Sequence, residues 1–412
     1  MYVLNDVGEI VRYPDPFSPI LLKRKEPPVP EPEYVPCEYI DFDGLSYLDL
    51  APLTTESDIE ITFRRENGYT QTNFLFGTNP NSNTSPVVGA WYGSQGFSTQ
   101  NGSLRNSASL DTDWHTVKFT ATKTYLDGVE YGDAGTRLTF QNLIIGSARD
   151  ERSGAVDSRA FHGDISRVKV GNKIFVPVKD VVTNAYGLFD IAGEKFYGNS
   201  GTGTITGGSL IQPVSYAQSD GSACVDTDLL LDGSEKWTMK FASLKAEFSS
   251  PVAGSLNGGT AFTNRNNYCV TYTTAITPHA YSVYADGNAG SSSASWNGGT
   301  ATDKAWHTIE YFGNVNTPPK IDGVNMAQPT LTTLTPVTPS VPWRLFGRAT
   351  TAKGQGTLSQ DGVAIARFTG DTWDYLPVRI GTTVEMLDLV SWQFAQRTGT
   401  LTGGEDVPWK WS

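Results

Sequence analysis

Along Asp58-Ile59-Glu60-Ile61-Thr62-Phe63, apolar and polar residues alternate one for one. That period places Ile59, Ile61 and Phe63 on one face of a strand and the polar residues on the other. Trp237-Thr238-Met239-Lys240-Phe241 alternates in the same way, and no stretch sustains apolar residues at helical spacing. Asp-Gly pairs at Asp127-Gly128, Asp232-Gly233, Asp286-Gly287 and Asp322-Gly323 separate such runs at hairpin intervals. The pattern predicts an all-β chain.

The pattern also occurs twice. Tyr-x-x-x-Asp-Gly stands at Tyr39 to Gly44 and at Tyr216 to Gly221; Asp-x-x-Trp-His-Thr stands at Asp111 and at Asp303, each followed by a hairpin turn (Leu126 to Val129, Ile321 to Val324). Leu188-Phe189-Asp190 is echoed by Met386-Leu387-Asp388, and the Gly-Thr-Ile-Thr-Gly-Gly run from Gly203 by Gly399 to Gly404. The offset drifts from 177 (Tyr39 to Tyr216) through 192 (Trp114 to Trp306) and 200 (Pro177 to Pro377) to 198 (Asp190 to Asp388), so the landmarks keep their order while loops change length. A period so long is a duplicated domain with its own core, not a solenoid repeat. The expected architecture is two tandem jelly-roll β-sandwiches, over 36–210 and 211–412, behind an extended arm over 1–35.

Composition agrees with short strands and many turns: 42 Gly, 23 Pro and only 18% charged residues. The formal net charge of −12 disfavours a nucleic-acid partner, because phosphate binding needs a basic surface. Lys23-Arg24-Lys25 is too short to change that. No apolar stretch approaches the ~20 residues of a membrane span, and the opening residues lack the basic-then-apolar pattern of a secretory signal. Cys37, Cys224 and Cys269 fall at non-equivalent places in the two copies, so no disulfide framework was duplicated, which suits folding in a reducing compartment.

The arm has no counterpart in the repeat. Eight prolines between Pro14 and Pro36 prevent helix and favour a stiff, extended spacer. Ahead of it, Tyr2, Val3 and Leu4, then Ile10, Val11 and Tyr13, form two strand-like pieces around Gly8. Such a segment is expected to dock on a partner, adding a strand to a sheet edge or lying along its surface.

The landmarks in order, with Ile144 to Gly146 (Leu345 to Gly347 in copy two), Phe161-His162-Gly163-Asp164-Ile165 and the closing Gly-rich segment, resemble the concanavalin A-like lectin/glucanase superfamily in its laminin-G-like branch. Copy one is most similar to versions common in bacteriophage virion proteins, where a stretch like Tyr186 to Gly201 ends the domain. The resemblance covers 36–208; copy two follows through the internal repeat, with Gly362-Val363-Ala364-Ile365 in place of the Phe-His-Gly-Asp-Ile match. It implies a two-sheet sandwich and specifies no ligand, because this fold hosts lectins, hydrolases and scaffolds.

Candidate chemistry is sparse. Glu56, Asp58 and Glu60 share the Glu-x-Asp-x-Glu spacing of the glucanase branch, but Glu56 and Glu60 sit four strand steps apart, roughly 13 Å, against the roughly 5–5.5 Å carboxyl separation of a retaining glycosidase. Copy two carries Ser234, Lys236 and Thr238 there, so a solvated polar face is the expectation. His115 and His307 share strand faces with apolar residues, as structural histidines do. Asp41, Asp43 and Asp49, and the loop from Ala148 to Asp157, are loose candidates for calcium; no cofactor is otherwise expected. Aromatic rings near loops are the remaining binding signal, since sugars stack on them: Trp91, Tyr92, Trp296 and Trp373 are the candidates, with core use as the plainer role for each.

No Ser-His-Asp, phosphate-loop or zinc spacing is present. The expected function is that of a non-enzymatic bacteriophage virion protein, a head or tail appendage. It would dock on other virion proteins through its arm, display lectin-like domains to host-surface or environmental glycans, and form a homo-oligomer at the virion surface. A secreted or cell-surface bacterial carbohydrate-binding protein is the second reading, and a glycoside hydrolase using Glu56 and Glu60 the third.

Overall fold

The computed structural model describes residues 2–4, 10–12 and 34–409 apart from 54–57, 67–72, 78–86, 94–95, 103, 134–141, 150–154, 246–249, 258–265, 274–279, 287–292, 300–303, 315–316, 328–340, 350–355 and 360–361. Every regular element among them is a strand. The chain divides into two compact units, Met1–Pro32 and Glu33–Ser412. In the first, the two strand-like pieces pair with each other: Tyr2–Leu4 runs antiparallel to Ile10–Arg12, Val3 opposite Val11. Tyr13 lies outside the described residues. Tyr34 and Val35, assigned above to the arm, form with Pro36 a strand that joins the first sandwich by pairing with Lys173–Asp180.

The second unit holds both sandwiches, the two-sheet jelly rolls expected. In the first, the strand Ile59–Arg65 buries Ile59, Ile61 and Phe63 completely and turns Glu60, Thr62 and Arg64 to the other face. It lies between His115–Phe119 and His162–Val170 in the larger sheet. A register shift between Ile165 and Arg167 puts one extra residue, Ser166, into the second of these strands. A bulge of this kind bends a strand. His162–Val170 accordingly pairs with Ile40–Asp43 along its first half and with Lys173–Asp180 along its second. The smaller sheet, from Leu104–Ala108 to Leu48–Asp49, closes the core over Phe76, Phe97 and Phe119.

The second sandwich repeats this plan. Lys236–Ser243 lies between His307–Phe312 and Val363–Gly370, with the register shift again one residue long, at Ala366. Its core is Trp-rich: Trp237, Trp296, Trp343 and Trp373 are all within 2% of full burial.

A third apolar cluster joins the sandwiches, and it uses the same positions from each. Val176, Val178 and Phe189 of the first meet Leu376, Val378 and Leu387 of the second; Tyr34 and Ile211, which pair at matching places on those ribbons, join them. Equivalent positions facing each other are the pattern of a two-fold interface. Trp392 and Trp409 seal its margin with ring centroids 5.8 Å apart, and Trp409 Nε1 donates to the Ile211 carbonyl at 2.6 Å.

Candidate functional site

Outward positions of the larger sheet in the first sandwich line up across neighbouring strands. Arg64 stands opposite Asp164, Asp164 opposite Asp41 and Asp41 opposite Thr206; one step along, Thr116 and Arg167 flank Thr62. Cross-strand neighbours on one face interact directly. Arg64 Nε donates to Asp164 Oδ2 at 2.5 Å, and its guanidinium lies 4.8 Å from the Trp114 ring and 4.9 Å from the Tyr39 ring. A guanidinium held by a carboxylate on one side can still be attracted by aromatic faces on the other. Arg167 holds Glu60 in the same manner, and the Thr62 and Thr116 hydroxyls lie 3.0 Å apart.

This face forms one wall of a cleft of about 550 Å³. Glu38, Tyr39, Arg64, Trp114 and Arg167 line it from the first sandwich, and Ile380, Glu385, Trp392, Gln393 and Phe394 from the second. Trp114 is 39% exposed and Phe394 41%, so two rings stand at the opening. Burial pushes the Asp164 carboxyl above the usual carboxylate range, Arg64 working against that shift and Asp41 with it. Burial likewise raises Glu385, opposed by Arg397, whose Nε lies 3.0 Å from its carboxylate. Arg167 is lowered by burial and held up by Glu60. The cleft therefore presents ring faces, hydroxyls and charges of both signs, most of them paired.

None of the four aromatic candidates lines this cleft, and the structure corrects their assignment as sugar-stacking rings. Trp91 is 8% exposed and packs on Phe74 beside Ala148; Tyr92 is 3% exposed and meets Phe63 and Phe97; Trp296 and Trp373 are interior. Tyr92, Trp296 and Trp373 fill slots in the cores of their own sandwiches, and Trp91 is buried in a separate small cluster with Phe74 and Ala148. Of the glycosidase carboxylates, Glu60 is held by Arg167, and Glu56 lies outside the described residues.

The remaining sequence candidates hold the frame. His115 Nδ1 lies 2.8 Å from Asp127 Oδ2 and His307 Nδ1 2.7 Å from Asp322 Oδ2, while the second oxygen of each aspartate accepts the following threonine amide. Both histidines thus clamp a hairpin turn. Asp43 accepts from the Leu45 and Thr204 amides and the Ser46 hydroxyl; burial would raise its pKa, but these bonds outweigh it and hold it below the usual range. Asp49 takes Arg149 and the Ala51 amide, and Asp41 the Thr206 hydroxyl, so the three aspartates serve separate partners. No group of three or more metal-ligating side chains occurs among the described residues.

No family model matches the chain, and no curated protein does. Among solved structures it is similar to domains LG4-5 of the mouse laminin alpha1 chain, at 13% identity, covering 90% of this chain and 97% of that one with a TM-score of 0.27. It is also similar to the LG1-3 region of the laminin alpha2 chain, at 13% identity, covering 90% of this chain and 66% of that one with a TM-score of 0.28. The architecture described above rests on the strand order and register of this chain.

Sequence reasoning passed over Arg64 and Asp164. A signal for them exists in the repeat: the equivalent outward positions of copy two, opposite the same neighbours, are Ala242 and Ala364. Tyr39 and Trp114, used above only as repeat landmarks, turn out to line the cleft.

Proposed function

We propose that this chain is a non-catalytic glycan-binding adhesion protein whose binding site is the cleft between its sandwiches. The observation that carries the reading is the pairing of half-exposed Trp114 and Phe394 with a wall of hydroxyls and neutralised charges. Sugar rings stack on aromatic faces while their hydroxyls bond to such polar groups. Binding of the full chain to a glycan and bacterial surface-polysaccharide array tests it. Saturable binding to one class, weakened at least tenfold (about 1.4 kcal/mol) by Trp114→Ala, is the expected result; binding to no glycan sinks it.

The setting we propose is the surface of a bacteriophage particle, with residues 1–32 as the docking segment and other virion proteins as partners. The separation of that segment as its own unit supports a division between docking and display. Deleting 1–32 is expected to abolish incorporation into particles and leave glycan affinity unchanged. Unchanged incorporation would favour the alternative of a bacterial surface or secreted carbohydrate-binding protein.

A hydrolase reading draws on Asp164 and Glu385, both raised above the usual carboxylate range, as catalytic acids often are. Each is held by a guanidinium, Asp164 by Arg64 and Glu385 by Arg397. Prolonged incubation with a bound glycan is expected to release no shorter sugars. Release that is lost in Glu385→Gln would replace adhesion with hydrolysis.

A further inference from the structure

The charges lining the cleft are not all matched. Arg64 is held by Asp164, Arg167 by Glu60, and Glu385 by Arg397. Glu38 lines the same cleft beside Tyr39, and among the described residues no cation pairs with it; its Oε2 accepts the Ser209 amide at 3.2 Å. Each guanidinium of the wall thus already has one carboxylate matching its charge, while the half-buried carboxylate of Glu38 has no cation matching its own among the described residues. A ligand carboxylate or sulfate would approach cations whose charge is already matched by Asp164 and Glu60, whereas an ammonium group would supply the charge that Glu38 lacks.

We propose that the cleft selects a saccharide carrying a free amino group, with Glu38 as the specificity-determining residue; this rests on the glycan-binding reading above. The protein's net charge of −12 would draw such a cationic saccharide toward the surface before it docks.

Calorimetric titration of the full chain with a glucosamine oligosaccharide, its fully N-acetylated counterpart and a uronic-acid oligosaccharide of the same length tests the proposal. The amine form is expected to bind at least about fivefold more tightly than the acetylated form, the margin of one modest ion pair, and the uronate most weakly. Glu38→Gln keeps an acceptor for the Ser209 amide and is expected to erase the amine preference. Asp371→Asn, an exposed change elsewhere on the surface, is expected to leave it intact. Equal affinity for amine and acetylated forms, a preference that survives Glu38→Gln, or tightest binding by the uronate would each overturn the proposal. Binding confined to some other neutral glycan overturns it while leaving the adhesion reading standing; absence of binding to any saccharide removes both.

Discussion

The two sandwiches share a frame and differ on one face. Both clamp a hairpin with a histidine and an aspartate, both bulge one residue before an arginine (Arg167, Arg367), and both set a tyrosine beside a half-exposed tryptophan. On the outward row beneath those rings the first sandwich carries Arg64, Asp164 and Asp41, where the second carries Ala242, Ala364 and Gln218. Of the residues present in both copies, the histidine–aspartate pairs hold the frame, while Tyr39, Trp114 and Arg167 also line the cleft. The charges present in one copy build a wall of the cleft.

The change expected to break this comparison most severely is Val378→Asp, which buries a charge in the cluster shared by both sandwiches. It should cost about 3–5 kcal/mol, read as a lowered urea midpoint, and should weaken binding by loosening the cleft. A midpoint unchanged from wild type would mean that the sandwiches do not depend on each other.

Next in size is the double change Arg64→Ala with Asp164→Ala, which gives the first sandwich the second's alanines. Removing both partners of an ion pair leaves no orphaned charge, so stability should stay within about 1 kcal/mol of wild type, while glycan affinity falls about tenfold or more with the lost wall. Undiminished affinity would show that the difference between the copies is ornamental.

A smaller effect concerns acid. The pKa of Asp43 is lowered on folding, so its contribution to stability is present above the ordinary carboxylate value, about 3.9, and is lost as pH falls through its lowered value. Asp164 has the opposite sign: its raised pKa contributes stability that is present below the ordinary value and lost as pH rises through the raised one. Asp43→Asn should therefore flatten the acid limb of a stability–pH curve, and a variant as acid-sensitive as wild type would contradict this. The smallest expected effect is on binding by Trp91→Phe. With Trp91 packed on Phe74, glycan affinity should not move, and a clear loss would return Trp91 to the binding surface.

Much of the frame was legible in the chain because alternation has a short period: Ile59 to Phe63 announced its buried face residue by residue. The repeat fixed which strands correspond, down to Val178 and Val378. The cleft was harder to read, since it needs two distant segments to face each other, and nothing in Gln393-Phe394 says which surface it will meet. Aromatic residues misled for a related reason. Trp296 and Trp373 sit near Gly-rich or turn sequence, yet their side chains point between sheets, a direction that pairing register decides.

The matched ribbons at the join carry a consequence for how such a molecule can change. Two separate identical chains meeting through such a patch would be bound to keep their outward faces alike, because every substitution would appear on each side at once. With both halves in one chain, each stays at high effective concentration beside the other, and a mutation alters one half alone. One copy can then take on Arg64 and Asp164 while the other keeps Ala242 and Ala364, so covalent linkage is what permits asymmetry to accumulate.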